Sequence, residues 1–95
     1  MAVCMAFNPP QSVYSEETYQ KVLDHLGDAF PPSTMSLHVK GHTDQGEIRI
    51  VDVFESAKAF EAFAASHGPV LEQAGISLDD LMPYITIFEI ERKLP

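Results

Sequence analysis

Residues 37–53 read Leu-His-Val-Lys-Gly-His-Thr-Asp-Gln-Gly-Glu-Ile-Arg-Ile-Val-Asp-Val, two alternating runs on either side of one turn. Asp44-Gln45-Gly46 fits a three-residue hairpin loop, a type I turn followed by glycine in the left-handed region. Thr43 then pairs with Glu47, which sets the whole register of the extended runs 34–42 and 47–55. Leu37 faces Val53, His38 faces Asp52, and Val39 faces Val51. Side chains alternate along a strand, so a slip of one residue would exchange the two faces. One face collects Leu37, Val39, Val51 and Val53 and is expected to pack on helices. The other collects His38, Lys40, Ile50, Asp52 and Phe54.

Working outward, residues 2–7 form a short apolar run closed by Asn8-Pro9-Pro10 and read as a first strand. Ser15 is a good helix N-cap, with Glu16 and Glu17 in the first turn. Tyr19, Val22, Leu23 and Leu26 share one helical face, and Gly27 ends the helix. Ser56 caps a second helix whose apolar face is Ala57, Phe60, Phe63, Ala64 and His67. Phe60 and Phe63 are expected to meet Val51 and Val53. Gly68-Pro69 is expected to break or kink this helix, with Val70 to Ala74 resuming it. Residues 76–84 read as a connector, Ile85 to Ile90 as a last strand, and residues 91–95 as a polar tail.

The order β-α-β-β-α-β is the split βαβ, ferredoxin-like plan of an α+β domain, here one domain over residues 1–95. Right-handed crossovers predict an antiparallel sheet with strand order 4-1-3-2 and both helices on one face. Its other face is left bare, and two such sheets can cover each other across a two-fold axis. A homodimer is therefore expected.

Composition narrows the partners. Fourteen acidic and six basic residues give a net charge of −8. The basic residues are scattered rather than clustered, which disfavours nucleic acid and anionic membrane surfaces. No apolar run approaches the roughly 20 residues that span a bilayer. Cys4 is the single cysteine, which argues for a reducing compartment. Residues 1–7 have no basic leader region and meet Pro9 too soon for a signal peptide. A cytoplasmic location is expected.

The register creates one pair with chemical meaning. His38 and Asp52 should lie opposite each other, their Cα atoms about 5 Å apart. A carboxylate beside an imidazole fixes its tautomer and favours its action as a base. The same pair could equally serve as a structural hydrogen bond at an interface. Phe54 on the same face, Tyr84 and His67 are candidate ligand contacts. His25 and His42 read as solvated, and Cys4 as core. The histidines lack metal-ligand spacing, so neither a metal nor a cofactor is expected.

Ile50-Val51-Asp52-Val53-Phe54-Glu55-Ser56, followed by Ala59-Phe60-Glu61-Ala62-Phe63, resembles the strand-to-helix signature of the dimeric α+β barrel superfamily. That superfamily includes the antibiotic-biosynthesis-monooxygenase-like proteins. Leu37-His38-Val39 and Gly46 resemble one group of small bacterial members. The resemblance implies a dimeric barrel and a chemistry drawn from cofactor-free oxygenases, haem-degrading enzymes, polyketide cyclases and lactone isomerases. The haem-degrading branch matches at Asn8 alone: its Trp would fall at Phe63 and its His near Gln73. The cyclase branch uses a His and a Tyr, for which His38 or His67 with Tyr14, Tyr19 or Tyr84 could serve. Two functions follow. One is a cofactor-free enzyme acting on a small apolar or aromatic molecule, monooxygenase-, cyclase- or isomerase-like, with His38 as base and Asp52 orienting it. The other is a non-catalytic dimeric module that binds a small ligand or a partner protein. Whether His38 borders a cavity separates them.

Overall fold

The computed structural model describes residues 1–92. Of the polar tail expected over 91–95, residues 93–95 lie outside the described residues. Strand β1 is Val3–Phe7, helix α1 Glu16–Leu26, strand β2 Met35–His42, strand β3 Ile48–Phe54, helix α2 Ala57–Gln73, helix α3 Leu78–Leu81 and strand β4 Ile85–Glu89. Short 3₁₀ turns cover Gly27–Ala29 and Met82–Tyr84. The sheet is antiparallel throughout, in the order β2-β3-β1-β4.

Local chemistry accounts for the element ends. Ser15 Oγ accepts from the Thr18 amide at 3.2 Å and Ser56 Oγ from the Ala59 amide at 3.0 Å. Each satisfies one of the amides a helix start leaves unpaired. In the β2–β3 turn Gly46 sits at φ 79°, the left-handed region where a Cβ is strained. The Thr43 amide donates to the Glu47 carbonyl at 2.8 Å, closing the loop. The pairs Leu37–Val53, His38–Asp52 and Val39–Val51 follow.

The faces of that hairpin are the reverse of the expectation. Ile48, Ile50, Asp52 and Phe54 turn toward the helices and are buried, whereas Leu37 and Val39 are 47% and 49% exposed on the open side. Phe60 and Phe63 accordingly meet Phe54, at ring-centroid distances of 5.4 and 5.3 Å, and not Val51 and Val53. The larger apolar set goes inside. The β1 register aligns Val3, Met5 and Phe7 with Phe54, Asp52 and Ile50, while the smaller Cys4 and Ala6 share the outer side with Val53 and Val51. Turning the valines inward would also have buried Arg49. Its guanidinium instead donates to the Pro9 carbonyl at 2.9 Å and the Ile48 carbonyl at 2.7 Å. A bulge between Met35 and Leu37 re-aims Met35 onto the inner face, opposite Phe54.

Helix α2 also departs from expectation, since it runs unbroken through Gly68 and Pro69. Proline removes the amide that would bond the carbonyl four residues back. That carbonyl belongs to Ala65, and both Ala65 and Pro69 are exposed, so water can take the missing bond. The connector holds the short helix α3, where Leu78 and Leu81 pack down on the core and Asp79 and Asp80 occupy the first turn, exposed. No helix among the described residues is long and apolar enough to cross a membrane.

Phe54 is fully buried among Val3, Met35, Phe60 and Phe63. Phe54→Ala should cost about 3–5 kcal/mol, a large share of the stability of a domain this small. Urea denaturation checks it: a midpoint close to that of the parent chain would contradict the inward orientation.

Candidate functional site

Alternation along β3 carries Asp52 to the middle of the inner face, on a strand flanked by β1 and β2. It is the one buried charged side chain identified among the described residues, 4% exposed. A carboxylate this deep must be compensated by a partner. The hairpin supplies one: His38 Nδ1 lies 2.5 Å from Asp52 Oδ1. An ionised carboxylate only accepts, so the ring nitrogen donates and the imidazole is held with its proton on Nδ1. In the neutral ring Nε2 is then an acceptor. It lies 2.9 Å from the hydroxyl of Tyr19, which donates to it. Tyr19 begins the apolar face of α1, which lies across the inner sheet face, and its ring runs nearly parallel to the imidazole at 6.2 Å. Lys40 Nζ sits 4.8 Å over the Tyr19 ring and pairs with Glu16. A linear chain results: phenol hydroxyl, imidazole, buried carboxylate.

This chain forms part of the wall of a cavity of about 100 Å³ between the sheet and helices α1 and α2. The rest of the wall is mainly aromatic and aliphatic. Phe30 meets the His38 ring edge-on at 5.0 Å, and Phe63 stacks on His67 at 4.9 Å. Tyr14, Phe60 and Leu71 complete much of the remainder. Burial pushes the hydroxyl pKa of Tyr14 up, with Tyr19 and the Asp52 charge adding to it. Tyr19 is also raised, first by burial and then by the charges of Asp52 and Glu16. Both phenols are therefore neutral at ordinary pH. Burial holds His67 below its ordinary value, only partly opposed by Asp52. Among the described residues no cluster of three metal-ligating side chains occurs.

Compared with solved structures, the chain superposes over its full length on a putative antibiotic biosynthesis monooxygenase from Deinococcus radiodurans. The match covers 100% of this chain and 97% of that one, with a TM-score of 0.60 and 17% identity. The chain shares the ferredoxin-like α+β fold of that protein. The protein Rv0793 from Mycobacterium tuberculosis matches over 99% of this chain and 97% of its own, with a TM-score of 0.56 and 12% identity. No family model and no curated protein matches the sequence. At such identities the likeness extends to the fold and not to individual site residues.

Within this fold, His38, Asp52 and His67 come together around one cavity. Phe54 and Tyr84 do not line it. Phe54 is sealed into the neighbouring aromatic cluster, and Tyr84 packs on the core from the 3₁₀ turn before β4. Sequence reasoning gave Tyr19 no priority over Tyr14 or Tyr84. Its place at the head of the α1 apolar stripe becomes informative only once His38 is known to face the helices, the reverse of the sequence expectation.

His67 yields a pH test. Its folded pKa lies below the ordinary 6.5, so below that pH the unfolded chain takes up a proton that the folded one resists. Stability is lost as pH falls through this window. Urea titrations of His67→Leu from about pH 7 to about pH 5 should show the variant gaining stability relative to the parent chain. A constant difference would mean that the imidazole is not held neutral by burial.

Proposed function

We propose that this chain is a homodimeric, cofactor-free acid–base enzyme acting on a small apolar or aromatic molecule held between sheet and helices. The observation that carries this reading is the position of His38. It stands on the wall of an apolar cavity, with a buried carboxylate on one ring nitrogen and a phenol on the other. A purely structural pair would more simply be sealed in protein, so this location favours the enzyme over the non-catalytic module.

The chemistry follows from the bonding order. A ligand proton passes to Tyr19 Oη as the Tyr19 proton passes to His38 Nε2. Asp52 holds Nδ1–H and stabilises the imidazolium that forms. The return of the proton reverses each step. Tyr19 is the group that meets the ligand, His38 is the base, and Asp52 is a positioning residue. Loss of a proton beside a carbonyl or from a hydroxyl gives the anion from which isomerisation, cyclisation or reaction with dioxygen can proceed. His67 supplies a second, neutral polar contact.

The dimer is supported by the open sheet face. Leu37, Val39 and Phe88 there are 47%, 49% and 50% exposed, beside Val51 and Val53. A contiguous apolar face of this kind marks an association surface, and the Deinococcus neighbour shows the same fold.

Two measurements test the reading. Compounds found by a thermal-shift screen of small enolisable and aromatic molecules should exchange an acidic C–H with D₂O in the presence of the protein. His38→Asn, whose amide can still donate to Asp52, and Tyr19→Phe should slow that exchange by about 10²–10⁴-fold while the ligand still binds. Exchange at the parent rate in His38→Asn would remove the acid–base role. Light scattering at micromolar concentration should give about twice 10.5 kDa, and Val39→Glu should give a folded monomer. A monomeric parent chain would overturn the dimer.

A further inference from the structure

His67, a residue of the cavity wall, carries one polar atom that the protein leaves unsatisfied. His67 Nδ1 is buried and has no hydrogen-bond partner among the described residues, although its ring is fixed against Phe63. An unmade hydrogen bond at a buried nitrogen is unfavourable, and such an atom needs an explanation. The ring lines the cavity, so a ligand group can supply the missing partner.

Three further observations limit that group. Among the described residues the cavity wall contains Asp52 but no lysine or arginine. A carboxylate ligand would therefore face a buried negative charge with no permanent cation to balance it. Burial keeps the His67 imidazole from serving as that cation. A neutral imidazole has one donor and one acceptor nitrogen, and a hydroxyl, which both donates and accepts, suits Nδ1 in either tautomer. The volume of about 100 Å³ is below the roughly 150 Å³ of a cavity that takes up benzene, so the space suits nothing larger than one aromatic ring. The wall is aromatic, with Phe30, Phe60 and Phe63 on it.

We propose that the cavity takes a neutral single-ring phenol, its hydroxyl bonded to His67 Nδ1. This rests on the reading of the cavity as the ligand site and narrows its ligand class. It excludes aromatic acids and fused polycyclic molecules. His67 thereby becomes an anchoring residue, and the Tyr19–His38–Asp52 chain stays free to act elsewhere on the ring.

Calorimetric titration of the full chain with phenol, benzene, benzoate and 1-anthrol tests this. Phenol should bind about tenfold more tightly than benzene, the worth of one satisfied hydrogen bond. Benzoate and 1-anthrol should not bind over the same concentration range. His67→Leu should bring phenol and benzene to equal affinity. Ala64→Leu, which adds bulk to the cavity wall, should abolish binding of both and shows that they occupy this site. Equal binding of phenol and benzene by the parent chain would sink the phenol assignment and leave the cavity as a ligand site. Benzoate binding as tight as phenol, or a phenol preference that survives His67→Leu, would overturn it in the same way. Absence of binding by all four compounds would overturn both this inference and the ligand-site reading beneath it.

Discussion

A buried carboxylate organises this protein. Asp52 stands in the middle of the inner sheet face, surrounded by apolar side chains, and among the described residues only His38 on the paired strand bonds it directly. Losing His38 alone would strand a charge in the core, which is among the costliest single changes a small domain can suffer. The pair therefore ties the hairpin register to the orientation of the whole sheet. With Asp52 inside, Ile48, Ile50 and Phe54 must also be inside, and Leu37, Val39, Val51 and Val53 must be outside. The open apolar face and the cavity are two results of one choice of side.

The same charge reaches beyond its own hydrogen bond. It adds to the upward shift of both cavity phenols and opposes the downward shift at His67. The walls of this space are mostly apolar, so these influences are screened less than they would be in water. The site has the polarity pattern of an acid–base centre, in which one fixed anion sets the tautomer of a neighbouring ring and neutral hydroxyls surround it.

The register and the His38–Asp52 pairing were legible because both follow from turn chemistry and strict alternation. The facing was not legible, because both sides of the hairpin carry apolar sets of similar weight. The usual tendency of charges to lie outside pointed the wrong way for Asp52, which is neutralised by a partner, and gave no weight to Arg49. The larger side chains of β1 would have decided the matter, had Val3, Met5 and Phe7 been set against Cys4 and Ala6. Pro69 misled for a different reason: a proline on the solvent side of a helix loses a bond that water can replace. Of the site, the part legible in sequence was the pair within one hairpin. Tyr19 depends on how helix and sheet cross, which no local pattern encodes, and Phe54 was displaced from the candidate site by its own size, which sent it into the aromatic core.

The extra residue at Ser36 bears on how this sheet meets its surroundings along its rim. β2 is an outer strand, with a row of backbone donors and acceptors turned away from β3. Such a rim invites another chain to add on, and addition of this kind has no natural end. The bulge between Met35 and Leu37 interrupts the flat, evenly spaced ladder that an incoming strand would need. Lys40, tethered to Glu16 of α1, adds a charge farther along the same strand. Contacts through the broad apolar side are thereby favoured over growth at the rim, and a pairing through faces closes on itself where a pairing through rims would build a fibre.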